Sequence, residues 1–270
     1  MGCDAGAHDD GDQECGAEEL REESSGERGS HSDILTFPIV SVKLESMGLE
    51  FNTSLTQRAA VYAALGDPAR LRIVDILATG DAAPSELTEA LGMPSNLLAH
   101  HLKVLREVGL VSSHRSQGDG RRQYLRLVEH TLTVAPQAAP TPTPVRVVFV
   151  CTANSARSHL AAALWRQTSD VPSASAGTHP ADRIDPGALE VAGRRDLPLP
   201  RLRPRALDDV IGEGDLVITV CDLAHEELGV PHELHWSIPD PVRVGTDAAF
   251  DAAYDEIEGR VRALAPRLAS

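Results

Sequence analysis

The 270-residue chain has few cysteines, few aromatic residues and no long apolar run. Four scattered cysteines are too few for a disulfide framework, so we expect reduced thiols and a cytoplasmic location. No apolar stretch approaches the ~18 residues that a membrane-spanning helix requires. The N-terminus shows neither the basic start nor the apolar stretch of a secretion signal. These absences argue against a membrane protein and against a disulfide-stapled secreted protein.

Negative charge dominates the chain, whose formal net charge is −15, but the charge is unevenly distributed. Residues 1–54 carry 13 acidic and 3 basic side chains, and residues 131–270 carry 19 and 13. Residues 55–130 carry 8 acidic and 9 basic side chains. This middle segment is therefore the part of the chain best suited to approach a nucleic-acid backbone.

Composition divides the chain into four parts. Residues 1–54 are acidic and rich in Gly and Ser, and they are predicted to be a disordered extension, with Met47 as an alternative start. Residues 55–132 show helical periodicity. Residues 133–144 alternate Pro with Ala and Thr, which favours an extended linker. Residues 145–270 alternate strands with helices.

Four helices and a hairpin are predicted in the second part. The first helix runs from Thr56 to Leu65, and the next three are PARLRIVDILATG, PSELTEALG and PSNLLAHHLKVLREVG. Each of the last three begins at a proline and ends at a glycine. The β-rich stretches LVSSHRS and RRQYLRLV follow, joined by the turn sequence QGDG, which indicates a hairpin.

The fourth helix has two different faces. Leu98, Leu102 and Leu105 form an apolar stripe. Small and hydrogen-bonding side chains lie largely away from the stripe and suit insertion into a major groove: Ser95, Asn96, Ala99, His100 and Lys103. Three arginines surround the hairpin tip: Arg115, Arg121 and Arg122. A helical packing domain is the alternative interpretation, but it leaves these arginines without a role.

The stretches ALGDPARLRIVDIL and HHLKVLREVGLV resemble the winged helix-turn-helix of the arsenic-repressor (ArsR) family. The resemblance implies a homodimer that binds a palindromic operator in double-stranded DNA. It places Ser95, Asn96, His100 and Lys103 near bases or phosphates, and the three hairpin arginines near the DNA backbone. Many members carry a Cys-x-Cys metal site on the preceding helix. Ala83 and Ser85 occupy those positions here, so no metal site is expected there, while a role for Cys3 and Cys15 is left open.

The last part begins with VRVVFV, a nearly continuous apolar run typical of a central parallel strand. A helix follows over 158–168, a second buried strand is DLVITV at 215–220, and an amphipathic helix closes the chain at 248–268. This alternation predicts a doubly wound α/β fold with a parallel sheet. Its chemistry is expected at the carboxyl ends of the strands.

Cys151 lies at such a strand end, before a loop of small residues. A loop of this kind can turn successive amides inward and lead into a helix N-terminus, which together bind an oxyanion and stabilise a thiolate. Arg157 adds a planar fork for two anion oxygens, and Ser158 can donate to the thiolate. The oxyanion-binding residues are predicted to be Thr152, Ala153, Asn154, Ser155, Ala156 and Arg157.

The stretches VCTANSARS, SAGTHP, RPRALDD, DLVITVC and PDPV resemble the low-molecular-weight protein tyrosine phosphatases and the arsenate reductases that share their fold. The resemblance implies that Cys151 is the nucleophile. It also implies that Asp240 is the general acid that protonates the leaving oxygen. An exposed turn residue before Pro241 is the alternative interpretation of Asp240.

Cys221 ends the strand DLVITV and should emerge at the same sheet edge as Cys151. In arsenate reductases of this fold, a cysteine here attacks the cysteine–arsenate adduct, releases arsenite and leaves a disulfide. Leu228 stands where several of them carry a further cysteine, so an external thiol, thioredoxin or a small thiol, would have to reduce the disulfide. No bound cofactor is expected. A structural buried cysteine is the alternative interpretation of Cys221.

A phosphatase pocket calls for aromatic walls, but the chain is poor in aromatics and Val242 follows the Asp-Pro pair. The sequence therefore favours an enzyme: an ArsR-type transcriptional regulator fused to an arsenate reductase-like domain. It leaves open two other functions, a tyrosine phosphatase fused to a DNA-binding domain and a non-catalytic regulator that senses oxyanions.

Overall fold

The computed structural model describes residues 44–128, 144–200, 203–229 and 234–268, with side chains from residue 55 onward. Over these ranges the chain forms a helical lobe with a two-stranded sheet and an α/β lobe with a four-stranded sheet. Both lobes lie within one compact unit, Glu45–Ser270. None of the described helices combines the length and the apolar character that a bilayer span requires.

The helical lobe contains four helices followed by a hairpin, as predicted. The hairpin pairs Val111 with Leu127 and Arg115 with Gln123 in antiparallel register. Asp67 caps the second helix by accepting the Arg70 amide at 3.0 Å. The elements are α1 Leu44–Leu65, α2 Pro68–Leu77, α3 Pro84–Leu91, α4 Ser95–Glu107, β1 Val111–Arg115 and β2 Gln123–Leu127.

The first helix differs from the prediction, because α1 begins at Leu44 and not at Thr56. Residues 44–54 are therefore helical, whereas the prediction placed them in the acidic extension. This stretch contains Leu, Glu and Met, which favour helix, and it contains no proline. The acidic composition of the preceding residues concealed that preference. The predicted disorder of residues 1–43 and nearly all of the predicted linker lie outside the described residues.

The α/β lobe has a wholly parallel sheet in the order β4-β3-β5-β6. The predicted strands and helices are present, and β4 and β6 complete the sheet. The carboxyl ends of β3 and β5 lie side by side, where Val150 pairs with Thr219. The elements are β3 Arg146–Cys151, α5 Arg157–Thr168, β4 Ser173–Gly177, α6 Pro186–Arg194, β5 Asp215–Thr219, α7 Asp222–Leu228, β6 Leu234–His235, α8 Pro241–Val244 and α9 Asp247–Leu268.

Each lobe has its own apolar core. In the helical lobe, the predicted stripe of α4 is buried together with residues of α2, α3 and the hairpin. In the α/β lobe, Phe149 packs between Trp165 and Trp236, with ring centroids 5.8 Å and 5.6 Å away. Phe149 lies two positions before Cys151 in β3, so this aromatic cluster belongs to the carboxyl half of the strand that carries Cys151.

The two lobes are in direct contact along a surface that we call the inter-lobe seam. From the helical lobe it comprises residues 79–86, 114–119, Tyr124 and Arg126. From the α/β lobe it comprises residues 222–226, 235–240 and 256–260. The chain between them is therefore not the sole connection between the lobes.

Backbone and buried charge both contribute to the seam. The Asp81 amide donates to the His235 carbonyl at 2.7 Å, and a Cβ on Gly80 would lie 2.6 Å from that same oxygen. The buried Asp81 carboxylate binds Arg126 of its own lobe and Arg260 of the other. Burial opposes ionisation of Asp81, but Arg260 and Arg126 outweigh it and hold the pKa of this carboxyl below its usual range.

Candidate active site

The loop between β3 and α5 is held by its carbonyl groups. Four of its carbonyl oxygens accept hydrogen bonds of 2.8–3.2 Å from amides within residues 178–185; they belong to Cys151, Thr152, Ala153 and Ser155. The C=O and N–H of a trans peptide point in opposite directions, so the following amides face away from that segment. The Thr152 amide, for example, donates to Cys221 Sγ at 3.3 Å. The loop is thus arranged to offer amides to an anion.

Two residues make the curvature of this loop sterically possible. Asn154 has φ +47°, in the left-handed region that Asn tolerates better than most residues. Its side-chain oxygen accepts the Arg205 amide at 2.9 Å. Gly177, at the end of β4, lies so close that a Cβ there would be 2.7 Å from the Thr152 carbonyl oxygen. A side chain at position 177 would therefore displace the loop.

The Cys151 thiol is buried and has a hydroxyl partner. Cys151 Sγ lies 3.2 Å from Ser158 Oγ, and Asn154 Nδ2 donates to that same oxygen at 2.9 Å. Because Ser158 Oγ accepts from Asn154, its own proton is free to point at the sulfur. The pair therefore supplies a hydroxyl donor for a thiolate, with Asn154 setting its direction.

Arg157 and Asp240 face each other across the pocket. Arg157 Nη2 lies 3.2 Å from Asp240 Oδ2, and Nη1 donates to the Ile238 carbonyl at 2.9 Å. The Arg157 side chain is 11% exposed and that of Asp240 is 32% exposed. Asp240 also caps α8, because its Oδ1 accepts the Val242 amide at 3.1 Å. Asp240 is therefore held in the pocket by contacts with Arg157 and with the start of α8, and its role as general acid stays a prediction.

Cys221 follows β5 and reaches the same loop as Cys151. Its sulfur accepts from the Thr152 amide at 3.3 Å and lies 3.4 Å from Thr152 Oγ1. Burial, reinforced by the neighbouring Cys151, raises the pKa of the Cys221 thiol above its usual value. Both cysteines are free thiols. The prediction that parallel strands would bring the two cysteines to one edge is thus matched by the geometry.

These groups line one cavity of about 250 Å³. The described residues of its wall include no aromatic side chain. Ser158 lies behind the wall, and Asn154 is buried behind it as well. The lining residues are Gln117, Cys151, Thr152, Ala153, Ser155, Ala156, Arg157, Cys221, Asp222, Leu223, Asp240, Val242 and Arg243.

The contribution of Gln117 to this cavity was not predicted from the sequence. The stretch QGDG indicates only a hairpin turn, and Gln117 belongs to the helical lobe. No local signal marks it, because its partner Asp240 is 123 positions away in the chain. Sequence reasoning also assigned Asn154 only a backbone role, whereas its side chain orients Ser158.

Asp222, next to Cys221, joins the pocket to a buried histidine pair. Its Oδ2 accepts the Gln117 amide at 2.5 Å, and its Oδ1 lies 3.2 Å from His235 Nε2. Burial opposes ionisation of Asp222, but hydrogen bonds from His235, Ser237 and Gln117 lower its pKa to about 2. The rings of His235 and His225 stack at 4.1 Å, and His225 Nε2 lies 3.0 Å from Glu86 Oε1.

The predicted DNA-contacting residues fall into two groups. On α4, all of them are exposed: Ser95, Asn96, His100 and Lys103. The hairpin arginines Arg115, Arg121 and Arg122 are exposed too, but the hairpin tip between them contacts the α/β lobe. The α4 face is therefore open to a ligand, and the contact of the arginines with DNA stays a prediction.

Both lobes match models of known protein families. Residues 67–113 match the model "Bacterial regulatory protein, arsR family". Residues 146–270 match the model "Low molecular weight phosphotyrosine protein phosphatase". The two matched segments follow one another in the chain and correspond to the two lobes.

Three individual proteins illustrate these similarities. The HTH-type transcriptional regulator NmtR of Mycobacterium tuberculosis is 40% identical over 22% of this chain and 50% of its own length. Arsenate reductase 1 of Bacillus cereus is 29% identical over 44% of this chain and 92% of its own length. A thioredoxin-dependent arsenate reductase of Corynebacterium glutamicum, a solved structure, is 31% identical with a TM-score of 0.37, over 48% of this chain and 64% of its own. The chain spans about half the length of curated regulators that it matches.

Proposed function

Because the chain belongs to the ArsR family of bacterial regulatory proteins and continues into a low-molecular-weight phosphatase-type domain, we propose that it is a DNA-binding repressor whose α/β lobe reduces arsenate. The observation that carries the proposal is the contact of Cys221 with Thr152, the residue that follows Cys151. A second thiol at this place serves reduction, whereas phosphate-ester hydrolysis does not require one.

In the first step, the Cys151 thiolate attacks the arsenic atom of arsenate. An As–O bond breaks, Asp240 protonates the departing oxygen, and water leaves. Arg157 and the amides of the loop hold the remaining oxygens, on which negative charge lies. Ser158 stabilises the thiolate before the attack. The product is a Cys151–arsenate(V) adduct.

In the second step, the Cys221 thiolate attacks the sulfur of Cys151. A disulfide forms, and the electron pair of the S–As bond moves to arsenic, which becomes As(III) and leaves as arsenite. Two thiols are thereby oxidised to one disulfide, and As(V) gains two electrons. An external dithiol or two small thiol molecules then reduce the disulfide through thiol exchange. Because burial raises the pKa of Cys221, this step should accelerate as pH rises through the neutral range.

The walls of the cavity favour a small anion. None of the described lining residues offers an aromatic face for a phenyl ring. The volume of about 250 Å³ lies below the ~300–1,000 Å³ typical of sites for drug-sized ligands. Arsenate and phosphate therefore suit the cavity better than a phosphotyrosine side chain does.

The helical lobe supplies the DNA-binding activity in this proposal. The exposed face of α4 enters the major groove, and a second copy of the chain binds the other half-site of a palindromic operator. Lys103 and the hairpin arginines neutralise phosphates, while Ser95, Asn96 and His100 contact bases or phosphates.

The decisive experiment uses the purified full chain. Arsenate turnover is measured with thioredoxin and its reductase, or with glutathione, and phosphatase turnover with p-nitrophenyl phosphate. We expect Cys151→Ser to lose both activities and Cys221→Ser to lose only arsenate turnover. The double variant Cys3→Ser/Cys15→Ser, which makes the same substitution at the two cysteines of the acidic N-terminal segment, should keep both. Undiminished arsenate turnover in Cys221→Ser would rule out the proposed second step.

A second candidate function is that of an oxyanion sensor without turnover, and the hairpin tip at the edge of the cavity favours it. In that case arsenate changes operator affinity in the Cys151→Ser and Cys221→Ser variants as it does in the unmodified chain. Fluorescence anisotropy with an operator duplex, titrated with arsenate, measures this. If the protein is a reductase and not a sensor, arsenate changes the operator affinity of neither variant.

A further inference from the structure

The tip of the hairpin holds both loops that flank the catalytic cavity. The backbone amide of Gln117 donates to Asp222 Oδ2 at 2.5 Å, beside Cys221. The side-chain oxygen of Gln117 accepts the backbone amide of Asp240 at 3.0 Å. One residue of the helical lobe thus connects the loop of the second cysteine with the loop of the general acid.

Several independent contacts hold Gln117 in place. Glu226 of α7 accepts hydrogen bonds from Ser116 Oγ at 2.6 Å and from the Asp119 amide at 3.0 Å. The hydroxyl of the buried Tyr124 donates to the same carboxylate at 3.3 Å. A Cβ on Gly118 would lie 3.2 Å from the Leu223 amide nitrogen, so the tip packs closely against the start of α7. The tip is therefore anchored on both sides of Gln117.

The side chain of Gln117 also forms part of the cavity wall. It lines the same 250 Å³ space as both cysteines and Arg157. Leu223, Val242 and Arg243 belong to the same wall. Leu223 and Val242 are 44% and 40% exposed, so these apolar groups stand at the rim. Gln117 bonds to Asp222 through its backbone and to Asp240 through its side chain, so it lies between these two segments and narrows the opening of the cavity.

We propose that Gln117 is a positioning and specificity-determining residue of the catalytic cavity, which fixes the loop of Asp240 and restricts the cavity to inorganic tetrahedral oxyanions. This inference rests on the proposed oxyanion chemistry at Cys151 and goes beyond it, because it assigns part of the active site to the DNA-binding lobe. Gln117 acts through Asp240 and through the width of the opening, and it takes no part in bond making.

The positioning role follows from the backbone of Asp240. Its carboxylate already bonds to Arg157 and to the Val242 amide, so its direction depends on where the backbone of residues 238–242 lies. The hydrogen bond that the Asp240 amide donates to Gln117 ties this backbone to the helical lobe at Asp240 itself. Without this hydrogen bond, the Asp240 carboxylate is less often positioned to protonate the leaving oxygen. We therefore expect kcat to fall by a larger factor than KM rises.

The size-selection role is tested by protection of Cys151 from alkylation. The full chain is treated with iodoacetamide in the presence of inorganic phosphate or phenylphosphonate, and the Cys151 peptide is quantified by mass spectrometry. We expect phosphate to protect the unmodified chain and Gln117→Ala equally. Phenylphosphonate should protect Gln117→Ala at a concentration about tenfold lower than it does the unmodified chain. Gln123→Ala, the same change at an exposed position of the hairpin, should behave as the unmodified chain.

The positioning role is tested by a double-mutant cycle on arsenate turnover. Gln117→Ala should lower kcat about tenfold with little change in KM, the loss expected for a general acid held by one fewer hydrogen bond. In an Asp240→Asn background the same substitution should change kcat less than about twofold, because the residue on which it acts is already disabled. Gln117→Met keeps the length of the side chain but not its acceptor. It should lose kcat and still exclude phenylphosphonate.

The outcomes separate this inference from the function on which it rests. If phosphate does not protect Cys151 in the unmodified chain, the oxyanion chemistry itself is wrong. If phosphate protects and Gln117→Ala leaves both phenylphosphonate protection and kcat unchanged, the role of Gln117 is wrong while the proposed function stands. An equal loss of kcat with and without Asp240 would show that Gln117 acts on something other than Asp240.

Discussion

The helical lobe has two polar surfaces with opposite surroundings. On α4 the side chains of Ser95, Asn96, His100 and Lys103 face solvent, and Lys103 has an ion-pair partner one turn away, Glu107 at 3.9 Å. At the inter-lobe seam, Asp81, Glu86 and Tyr124 each bind a group of the α/β lobe. The polar groups of a solvated face can hydrogen-bond to another molecule. The polar groups of the seam already bind the other lobe and therefore stabilise the contact between the lobes. Substitutions in the seam should therefore change stability, and those on α4 should change DNA binding.

The largest effect is expected from Asp81→Ala. Removing this carboxylate leaves two arginines, Arg126 and Arg260, with Glu256 as their remaining shared carboxylate, so one positive charge near the protein interior is uncompensated and costly. We expect a loss of about 3 kcal/mol in the free energy of unfolding, measured by urea denaturation of the full chain at pH 7. Asp182→Ala, at an exposed position of the α/β lobe, should cost less than about 0.5 kcal/mol. Equal effects of the two substitutions would mean that the seam contributes no stability.

A somewhat smaller effect is expected from Gly80→Ala. The added Cβ would meet the His235 carbonyl oxygen at 2.6 Å, so the backbones of the two lobes would have to separate. The expected cost is about 2 kcal/mol, in the range of overpacked sites. Gly193→Ala at the exposed end of α6 meets nothing within 4 Å and should be neutral or slightly stabilising. Thermal denaturation distinguishes them, and a neutral Gly80→Ala would show that the lobes do not approach this closely in solution.

The seam also makes stability depend on pH. Burial lowers the pKa of His235 below its usual 6.5, and Asp222 is held at a pKa of about 2. Both groups bind protons more readily in the unfolded chain, so the free energy of unfolding decreases as pH falls below 6.5 and decreases further below 3.8.

The contribution of the histidine can be isolated by substitution. We expect His235→Gln to reduce the slope of unfolding free energy against pH between pH 5 and 6.5, by at most ~1.4 kcal/mol per pH unit for one proton. Urea titrations at several pH values give the slope. His100→Gln, on the exposed face of α4, should leave it unchanged. A slope that His235→Gln does not alter would place the proton uptake on another group, such as His159, whose burial lowers its pKa to about 4.

The smallest effect on the protein itself is expected from Lys103→Ala. Its side chain is 74% exposed, so stability should not change measurably. If Lys103 neutralises a DNA phosphate, the slope of log affinity against log salt should decrease by about one. Arg262→Ala removes the same charge from α9 and should leave the slope unchanged. A salt dependence that Lys103→Ala does not affect would place the DNA contact elsewhere on the lobe.

Motifs carried by contiguous residues were predictable in detail. The stretch from Cys151 to Ser158 specifies a strand end, a loop of small residues and a helix start, and the structure places most of these residues around one cavity, with Asn154 and Ser158 behind its wall. Asp240 was predicted through resemblance, and Cys221 through resemblance and through the topology of parallel strands. The start of α1 was missed, because the acidic composition upstream concealed the helix preference of residues 44–54. Gln117 was missed because its partners in the α/β lobe are more than a hundred positions away.

The sequence by itself determined the two fold types, the apolar stripe of α4 and the cysteine loop, because each depends on the period of apolar residues or on side chains within about ten positions of one another. Only the tertiary structure decided that the hairpin tip meets the cavity, that Asp81 is neutralised by arginines of both lobes, and that Gly80 must lack a side chain. The physical reason is that these features arise where two independently patterned surfaces meet. The local sequence of one surface contains no information about which residues of the other surface it will contact.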